Sequence, residues 1–209
     1  FYDLDQYVNS YHAISKNTEI KLKELTDKNI FTQPFWVNQK IWFPIENKEA
    51  IRKDFNFSKD DYLVGSFQRD TESADFKSPK LEKGPDIFFK IVSEINKDKK
   101  NLLVVLTGKN RQYLIEKFTQ HHIRYKYFEM IDQKKMNQLY NILNLYIVSS
   151  RVEGGPQSIL ECSAVNTPII STDVGVANII LHRDSIYSDD YKLAKPNIQY
   201  ANKSVQKYF

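Results

Sequence analysis

The residues best suited to bind an anionic, hydroxyl-rich ligand lie between Arg151 and Glu161, in the segment RVEGGPQSILE. A glycine–proline pair precedes Gln157, and proline suits the first position of a helix. The sequence therefore predicts a helix start whose free amides, those of Gln157, Ser158 and Ile159, point towards an anion.

Two carboxylates flank this helix start. Glu153 lies in the loop before the helix and Glu161 about one turn inside it, so both can border one cleft. A carboxylate has two acceptor oxygens, which suits a vicinal diol such as that of ribose or a sugar ring. The alternative is that Glu153 only interacts with the helix dipole while Glu161 is solvated. Gly154 and Gly155 favour the ligand site, because they let the backbone approach a ligand closely.

Arg69 and Lys83 form a second candidate anion site. Arg69 lies just after the strand-like run YLVGSF, and Lys83 precedes a second glycine–proline helix start at Gly84. A cation beside the positive end of a helix would complete an anion pocket. The alternative is two solvated surface cations, which the spacing alone slightly favours.

The third candidate is Gly108, in the run Thr107-Gly-Lys after an apolar strand. Asn110 follows the lysine where a phosphate-binding P-loop needs Ser or Thr, so a P-loop is rejected. The G-x-G-x-x-G dinucleotide pattern is also absent from the sequence. Gly108 then indicates either a plain turn or a close approach of backbone to a ligand.

The elements that must position these residues alternate from residue 61 onward. We expect helices at 85–95, 111–120 and 134–143, the last capped by Asp132, and another after Pro156. The expected strands are Tyr62–Phe67, Leu102–Thr107, Ile123–Phe128, Leu145–Ser149 and Pro168–Thr172. Strands alternating with helices predict the α/β class: a Rossmann-like parallel sheet with helices on both faces.

Residues 1–60 lack this rhythm. We expect a strand at Tyr11–Ser15, a helix at Asn17–Leu25 and an aromatic, proline-punctuated crossover at Ile30–Pro44. Residues 70–83 are polar and predict an exposed loop. The predicted division is therefore 1–60, the end of an N-terminal domain and its connection, and 61–209, a ligand-binding domain whose C-terminal helix is cut short.

The composition is that of a folded globular protein. Of 209 residues, 41% are hydrophobic and 27% charged, which excludes a disordered chain. The net charge of +4 is spread along the sequence, so a nucleic-acid partner is not expected. The single cysteine, Cys162, excludes a disulfide within the chain. No apolar run approaches the length of a membrane span, so we expect a cytoplasmic protein.

The order of these motifs resembles a known family. Arg69, Lys83-Gly84 and Gly108 precede the pair Glu153 and Glu161, which the segment TPIISTDVG then follows. This series is similar to the C-terminal, donor-binding domain of GT-B glycosyltransferases of the retaining family 4 (glycosyl transferases group 1) type. The resemblance covers about residues 60–182 well and the first 60 more loosely.

The resemblance implies a role for each site residue. Arg69 and Lys83 would hold the donor diphosphate and stabilise its departing charge, and Glu153 would contact the donor sugar. Glu161 would bind the ribose hydroxyls. Phosphate or sugar would meet the backbone between Gly154 and Ser158, which includes Gly155 and Gln157.

The function it implies is transfer of a sugar, with retention, from a nucleotide-diphosphate sugar to a glycan, lipid or small-molecule acceptor. We expect no metal and no cofactor, because the two cations would neutralise the diphosphate. The alternative is a non-catalytic nucleotide-sugar-binding or regulatory module of the same fold. We expect a longer protein, since Phe1 is no start methionine and the acceptor domain is missing. This chain alone would be incomplete for activity, and its missing part could associate with a membrane surface.

Overall fold

Six parallel strands form the central sheet in a computed structural model that describes residues 1–188 and 190–209. The strands of the chain are β1 (Ser10–Ala13), β2 (Asn29–Thr32), β3 (Tyr62–Ser66), β4 (Leu102–Thr107), β5 (Tyr125–Phe128), β6 (Leu145–Val148), β7 (Ile169–Thr172) and β8 (Ile186–Tyr187). The order in the sheet is β5-β4-β3-β6-β7-β8, and β1 pairs with β2 in a separate parallel pair.

The helices of the chain are α1 (Tyr2–Asp5), α2 (Lys16–Lys23), α3 (Lys48–Asp54), α4 (Pro85–Asp98), α5 (Gln112–Gln120), α6 (Gln133–Ile142), α7 (Gln157–Ala164), α8 (Ala177–Ile180) and α9 (Ile198–Val205). The helices from α3 onward cover both faces of this sheet, and α2 packs on the β1–β2 pair. The Rossmann-like fold class is thereby confirmed.

Two apolar cores flank the sheet and explain the helix positions. On one face, Phe88, Ile91 and Val92 of α4 are buried at helical spacing against β4, whose six residues are all buried. On the other face, α6 and α7 pack in a core that also contains Trp42. Burying each such side chain contributes about 1.5–3 kcal/mol, so both faces hold the sheet in place.

The order in which successive strands are added across the sheet reverses between β3 and β6. From β3 the chain runs outward to β4 and β5, then returns to place β6 on the other side of β3. In an open parallel sheet of this kind, the crevice for a ligand opens at the carboxyl ends of the two central strands. The ends of β3 and β6 are thus the expected place for a site.

Most predicted elements are present with shifted bounds, and Asp132 caps α6 by accepting a hydrogen bond from the Lys135 amide at 2.7 Å. The prediction for 30–44 was wrong at its start, because β2 pairs there with β1. The prediction that residues 70–83 form an exposed loop was wrong for its first two residues, since Asp70 and Thr71 are buried. The strand β8 and the helices α1, α3 and α8 were not predicted.

Candidate active site

A cavity of about 330 Å³ lies at the carboxyl ends of β3 and β6. Its lining combines carboxylates, amides and a cluster of large apolar side chains. The lining residues are Trp42, Phe67, Gln68, Ile131, Gln133, Met136, Tyr140, Tyr146, Glu153, Pro156, Gln157, Ser158 and Glu161. Four of the predicted site residues, Glu153, Gln157, Ser158 and Glu161, therefore line one cavity.

Lys83 reaches this cavity through Glu153. Its Nζ donates to Glu153 Oε1 at 2.7 Å, and the hydroxyl of Ser150 donates to the same oxygen at 3.0 Å. Both side chains of the ion pair are mostly buried, with 23% and 14% exposure. The predicted anion-binding cation thus lies beside a carboxylate at the cavity wall.

The turn that carries Lys83 is fixed to the loop that carries Glu153. The amide and the guanidinium of Arg151 donate to the carbonyls of Glu82 and Leu81, both at 2.8 Å. Gly84, which follows Lys83, has φ +60°, and a Cβ there would lie 1.8 Å from the Ser149 carbonyl oxygen. Only glycine fits this position, because it allows the end of β6 to approach the start of α4.

The start of α7 offers two free amides. The amides of Gln157 and Ser158 donate to no carbonyl of the described residues, and both residues line the cavity. The expectation of a third free amide was wrong, because the Ile159 amide donates to the Pro156 carbonyl at 3.1 Å. The tight first turn of the helix satisfies that donor internally.

Glu161 lies within α7 and its carboxylate faces α6. Its Oε2 accepts a hydrogen bond from the Tyr140 hydroxyl at 2.8 Å. Burial raises the pKa of the Glu161 carboxyl to about 7, and the Tyr140 hydrogen bond offsets part of that rise. The solvated alternative for Glu161 is therefore wrong.

Arg69 and Gly108 do not line the cavity. Arg69 is exposed, follows Gln68 of the cavity wall, and makes no side-chain hydrogen bond or ion pair with any other described residue. Gly108 ends β4 with φ +85°, and its carbonyl accepts from the Tyr127 hydroxyl at 2.9 Å. Both residues nevertheless lie at the edge of the sheet where the cavity opens.

The double glycine contacts the first part of the chain. A Cβ on Gly154 or Gly155 would lie 3.2 or 3.1 Å from Ile14 Cδ1, just before α2. Close packing of two segments thus accounts for these glycines. On this side Glu153 borders a second cavity of about 350 Å³, lined by Lys21 of α2 and by Asp173 after β7.

Several cavity residues were missed by sequence reasoning. Tyr140 and Tyr146 are almost fully buried in an aromatic cluster with Phe67 and Trp42. Trp42, in the predicted aromatic crossover, packs on Tyr140, with ring centroids 5.7 Å apart. Buried aromatic residues in a sequence usually indicate core packing, so nothing in the sequence distinguished these cavity residues from ordinary core residues.

A buried ion pair next to Arg69 was also missed. Arg111, fully buried, donates through Nε to Asp70 and through Nη1 to the carbonyls of Ser66 and Thr107 at 2.8 and 2.9 Å. It thereby ties the ends of β3 and β4 together. Its Nη2 is buried without a hydrogen-bond partner among the described residues.

Within residues 1–188 and 190–209, no group of three or more His, Cys, Asp or Glu side chains is placed to hold a metal ion. None of the helices in this part of the chain is long and apolar enough to cross a membrane.

A doubly wound parallel sheet with a carboxylate-lined cavity at its central crevice defines a Rossmann-like, ligand-binding α/β protein. The chain belongs to the family "Glycosyl transferases group 1", whose model matches residues 47–206. No curated protein is significantly similar to it in sequence.

Solved structures show the same fold at low identity. The sucrose-phosphate synthase of Thermosynechococcus elongatus is 17% identical, with a TM-score of 0.76 over 96% of this chain and 54% of its own. HepE of Anabaena, in complex with UDP and glucose, is 13% identical, with a TM-score of 0.77 over 99% of this chain and 60% of its own.

A third structure is a single domain. The C-terminal domain of the group 1 glycosyl transferase LpcC from Francisella tularensis is 18% identical, with a TM-score of 0.64. It covers 82% of this chain and 97% of its own. These neighbours have the GT-B fold, and this chain spans only 54% and 60% of the two longer ones.

Proposed function

We propose that this chain is the donor-binding portion of a glycosyltransferase that uses a nucleotide-diphosphate sugar and retains the anomeric configuration. The observation that carries the proposal is that Glu153, Gln157, Ser158 and Glu161 line one cavity at the central crevice of the sheet. The family and the fold support the same reading, and the complex of HepE with UDP makes UDP the first ligand to test.

Each part of the proposed donor is placed beside the cavity residues that could bind it. The ribose diol donates to Glu161, and the base lies in the apolar part formed by residues such as Trp42 and Met136. The diphosphate meets the free amides at the start of α7. The sugar then lies at Glu153, where the two cavities meet.

The proposed reaction breaks the bond between the anomeric carbon and the diphosphate oxygen. Negative charge builds up on the diphosphate, where Lys83, Arg69 and the helix amides stabilise it by several kcal/mol. The acceptor oxygen attacks from the face that the diphosphate leaves, and its proton passes to the diphosphate. Because the protein's own cations carry out this neutralisation, the proposal includes no metal and no cofactor.

The acceptor enters, in this proposal, from the side of the second cavity. That cavity shares Glu153 with the donor cavity and has polar walls that include Lys21 and Asp173. Such walls suit a hydroxyl-bearing acceptor, whether glycan, lipid or small molecule. The part of the longer relatives that this chain does not span would supply the rest of the acceptor site.

Calorimetric titration with UDP, ADP and GDP tests the donor site. We expect one nucleotide to bind, and Glu161→Ala to weaken its binding about tenfold or more, because a hydrogen bond to a charged group contributes about 1.5–3 kcal/mol. The matched control is Glu116→Ala, which removes an exposed carboxylate on α5 far from the cavity wall. Absence of binding by all three nucleotides, or an unchanged affinity in Glu161→Ala, would contradict the proposal.

Turnover separates the transferase from a non-catalytic binding module of the same fold. The complete protein is incubated with UDP-glucose, with water as the fallback acceptor, and released UDP is measured. A transferase releases UDP at a rate that Glu153→Ala lowers, since that residue acts at the reacting sugar. A binding module binds the nucleotide but releases no UDP above the uncatalysed rate.

A further inference from the structure

Tyr140 contacts the proposed ribose-binding carboxylate from the neighbouring helix. Its hydroxyl donates to Glu161 Oε2 at 2.8 Å and makes no other hydrogen bond with a described residue. Glu161 Oε1 has no hydrogen-bond partner among the described residues, and both side chains line the cavity. Tyr140 therefore fills one of the two acceptor sites of Oε2, and the acceptor sites of Oε1 are open to a ligand.

The ring of Tyr140 is held in place by packing. Its centroid lies 4.8 Å from that of Phe67, 5.5 Å from that of Tyr146 and 5.7 Å from that of Trp42, and the residue is only 2% exposed. A ring enclosed in this way cannot swing its hydroxyl aside. The hydroxyl thus fixes the plane of the Glu161 carboxylate relative to the cavity.

We propose that Tyr140 is a positioning residue that orients the Glu161 carboxylate to accept both hydroxyls of a ribose, so that the site discriminates ribonucleotides from 2′-deoxyribonucleotides. The inference rests on the proposed function, in which Glu161 binds ribose. A carboxylate free to rotate accepts one hydroxyl from either sugar, whereas a fixed one loses a bond when the 2′-hydroxyl is missing.

The charge of the site agrees with this role. Burial disfavours the ionised form of Glu161, and among the described residues the Tyr140 hydroxyl is the one side-chain donor that favours it. An ionised carboxylate accepts at both oxygens, whereas a protonated one uses one of them as a donor. Tyr140 therefore supports the acceptor state that a diol requires as well as its orientation.

The test compares ribose with deoxyribose in one variant. The best-binding nucleotide among UDP, ADP and GDP is titrated beside its 2′-deoxy form into the wild type and Tyr140→Phe, which keeps the ring and removes the hydroxyl. We expect the wild type to prefer the ribonucleotide about tenfold. In Tyr140→Phe this preference should fall to about threefold or less, with the affinity for the deoxynucleotide nearly unchanged.

The control is Tyr187→Phe, which also removes one buried hydroxyl, here donating to the Val148 carbonyl at 2.9 Å away from the cavity wall. If Tyr140→Phe weakens the binding of both nucleotides equally, Tyr140 has a merely structural role and the inference is overturned. The inference is also overturned if Tyr140→Phe keeps the wild-type preference for the ribonucleotide while Glu161→Ala abolishes that preference. If the wild type binds none of the nucleotides, the proposed function itself fails.

Discussion

Lys83 and Glu153 form an ion pair that a bound diphosphate would have to break. The 2.7 Å ion pair between them means that a diphosphate binding Lys83 competes with the Glu153 carboxylate for the ammonium group. The same carboxylate repels the negative charge of the diphosphate. Glu153 is therefore expected to weaken the binding of a free nucleotide while it serves the sugar.

We predict that Glu153→Gln raises the affinity for free UDP, or for whichever nucleotide the chain binds, about threefold. A partly exposed ion pair contributes up to about 1 kcal/mol, so a larger gain is not expected. Calorimetric titration measures the effect. Glu82→Gln is the matched control, since it removes an exposed carboxylate that pairs with Lys80. A loss of affinity in Glu153→Gln would show that Glu153 helps to bind the nucleotide.

Residues of one contiguous motif could be predicted from the sequence, whereas their partners from other elements could not. Glu153, Gln157, Ser158 and Glu161 share one loop and one helix, so their spacing alone places them at one cleft. Tyr140 arrives from α6, 21 residues earlier in the chain. Its contact depends on how two helices pack, which no local pattern encodes.

At the scale of elements, a strand could be predicted from the sequence when its residues are buried, because burial selects apolar side chains. The strand β4 was predicted with its observed bounds, because all six of its residues are buried and the first five are apolar. The strand β2 was missed, since three of its four residues are exposed and its pairing with β1 defines it. Backbone hydrogen bonding between two exposed strands does not require particular side chains, so the sequence of such a strand shows no clear pattern.

The junction of β6 and α4 depends on Gly84, and we predict that Gly84→Ala destabilises the fold by about 2–5 kcal/mol. The left-handed conformation costs alanine about 1–3 kcal/mol, and its Cβ would overlap the Ser149 carbonyl oxygen. The free energy of unfolding in urea measures the effect, and nucleotide binding should weaken as well because Lys83 is adjacent.

Gly154→Ala is the matched control for this loss of stability. The closest contact of a Cβ there is the flexible end of Ile14, at 3.2 Å, and Gly154 has no left-handed backbone. We expect it to cost less than about 1 kcal/mol. An equal loss in both variants would show that the Ser149 contact does not account for the role of Gly84.

At the scale of the whole molecule, the two-core α/β architecture could be predicted from alternating strands and helices, but the place of residues 33–57 could not. Val37, Trp42, Ile51 and Phe57 belong to the core beside α6 and α7 rather than to a separate unit. Such long-range packing joins residues about 100 positions apart, as in the hydrogen bond from the Ile45 amide to Asn141 at 2.7 Å.

Burial of the Glu161 carboxyl at the wall of the cavity links global stability to pH. Its pKa is raised from an ordinary value of 4.5 to about 7, so the folded state holds a proton that the unfolded chain releases. The resulting stability is fully present below pH 4.5 and is lost as the pH rises through about 7. A shift of this size corresponds to a loss on the order of 3 kcal/mol.

We predict that Glu161→Gln, which mimics the neutral carboxyl, removes this pH dependence. The free energy of unfolding in urea is measured for both proteins from pH 5 to pH 8.5. The wild type should lose stability relative to Glu161→Gln as the pH rises from 5 to 7, with little further change up to pH 8.5, because the folded and unfolded states differ most in bound protons between the two pKa values. All other side chains are the same in both proteins, so their contributions cancel in the difference. A constant difference between the two curves would show that Glu161 ionises with an ordinary pKa in the folded protein.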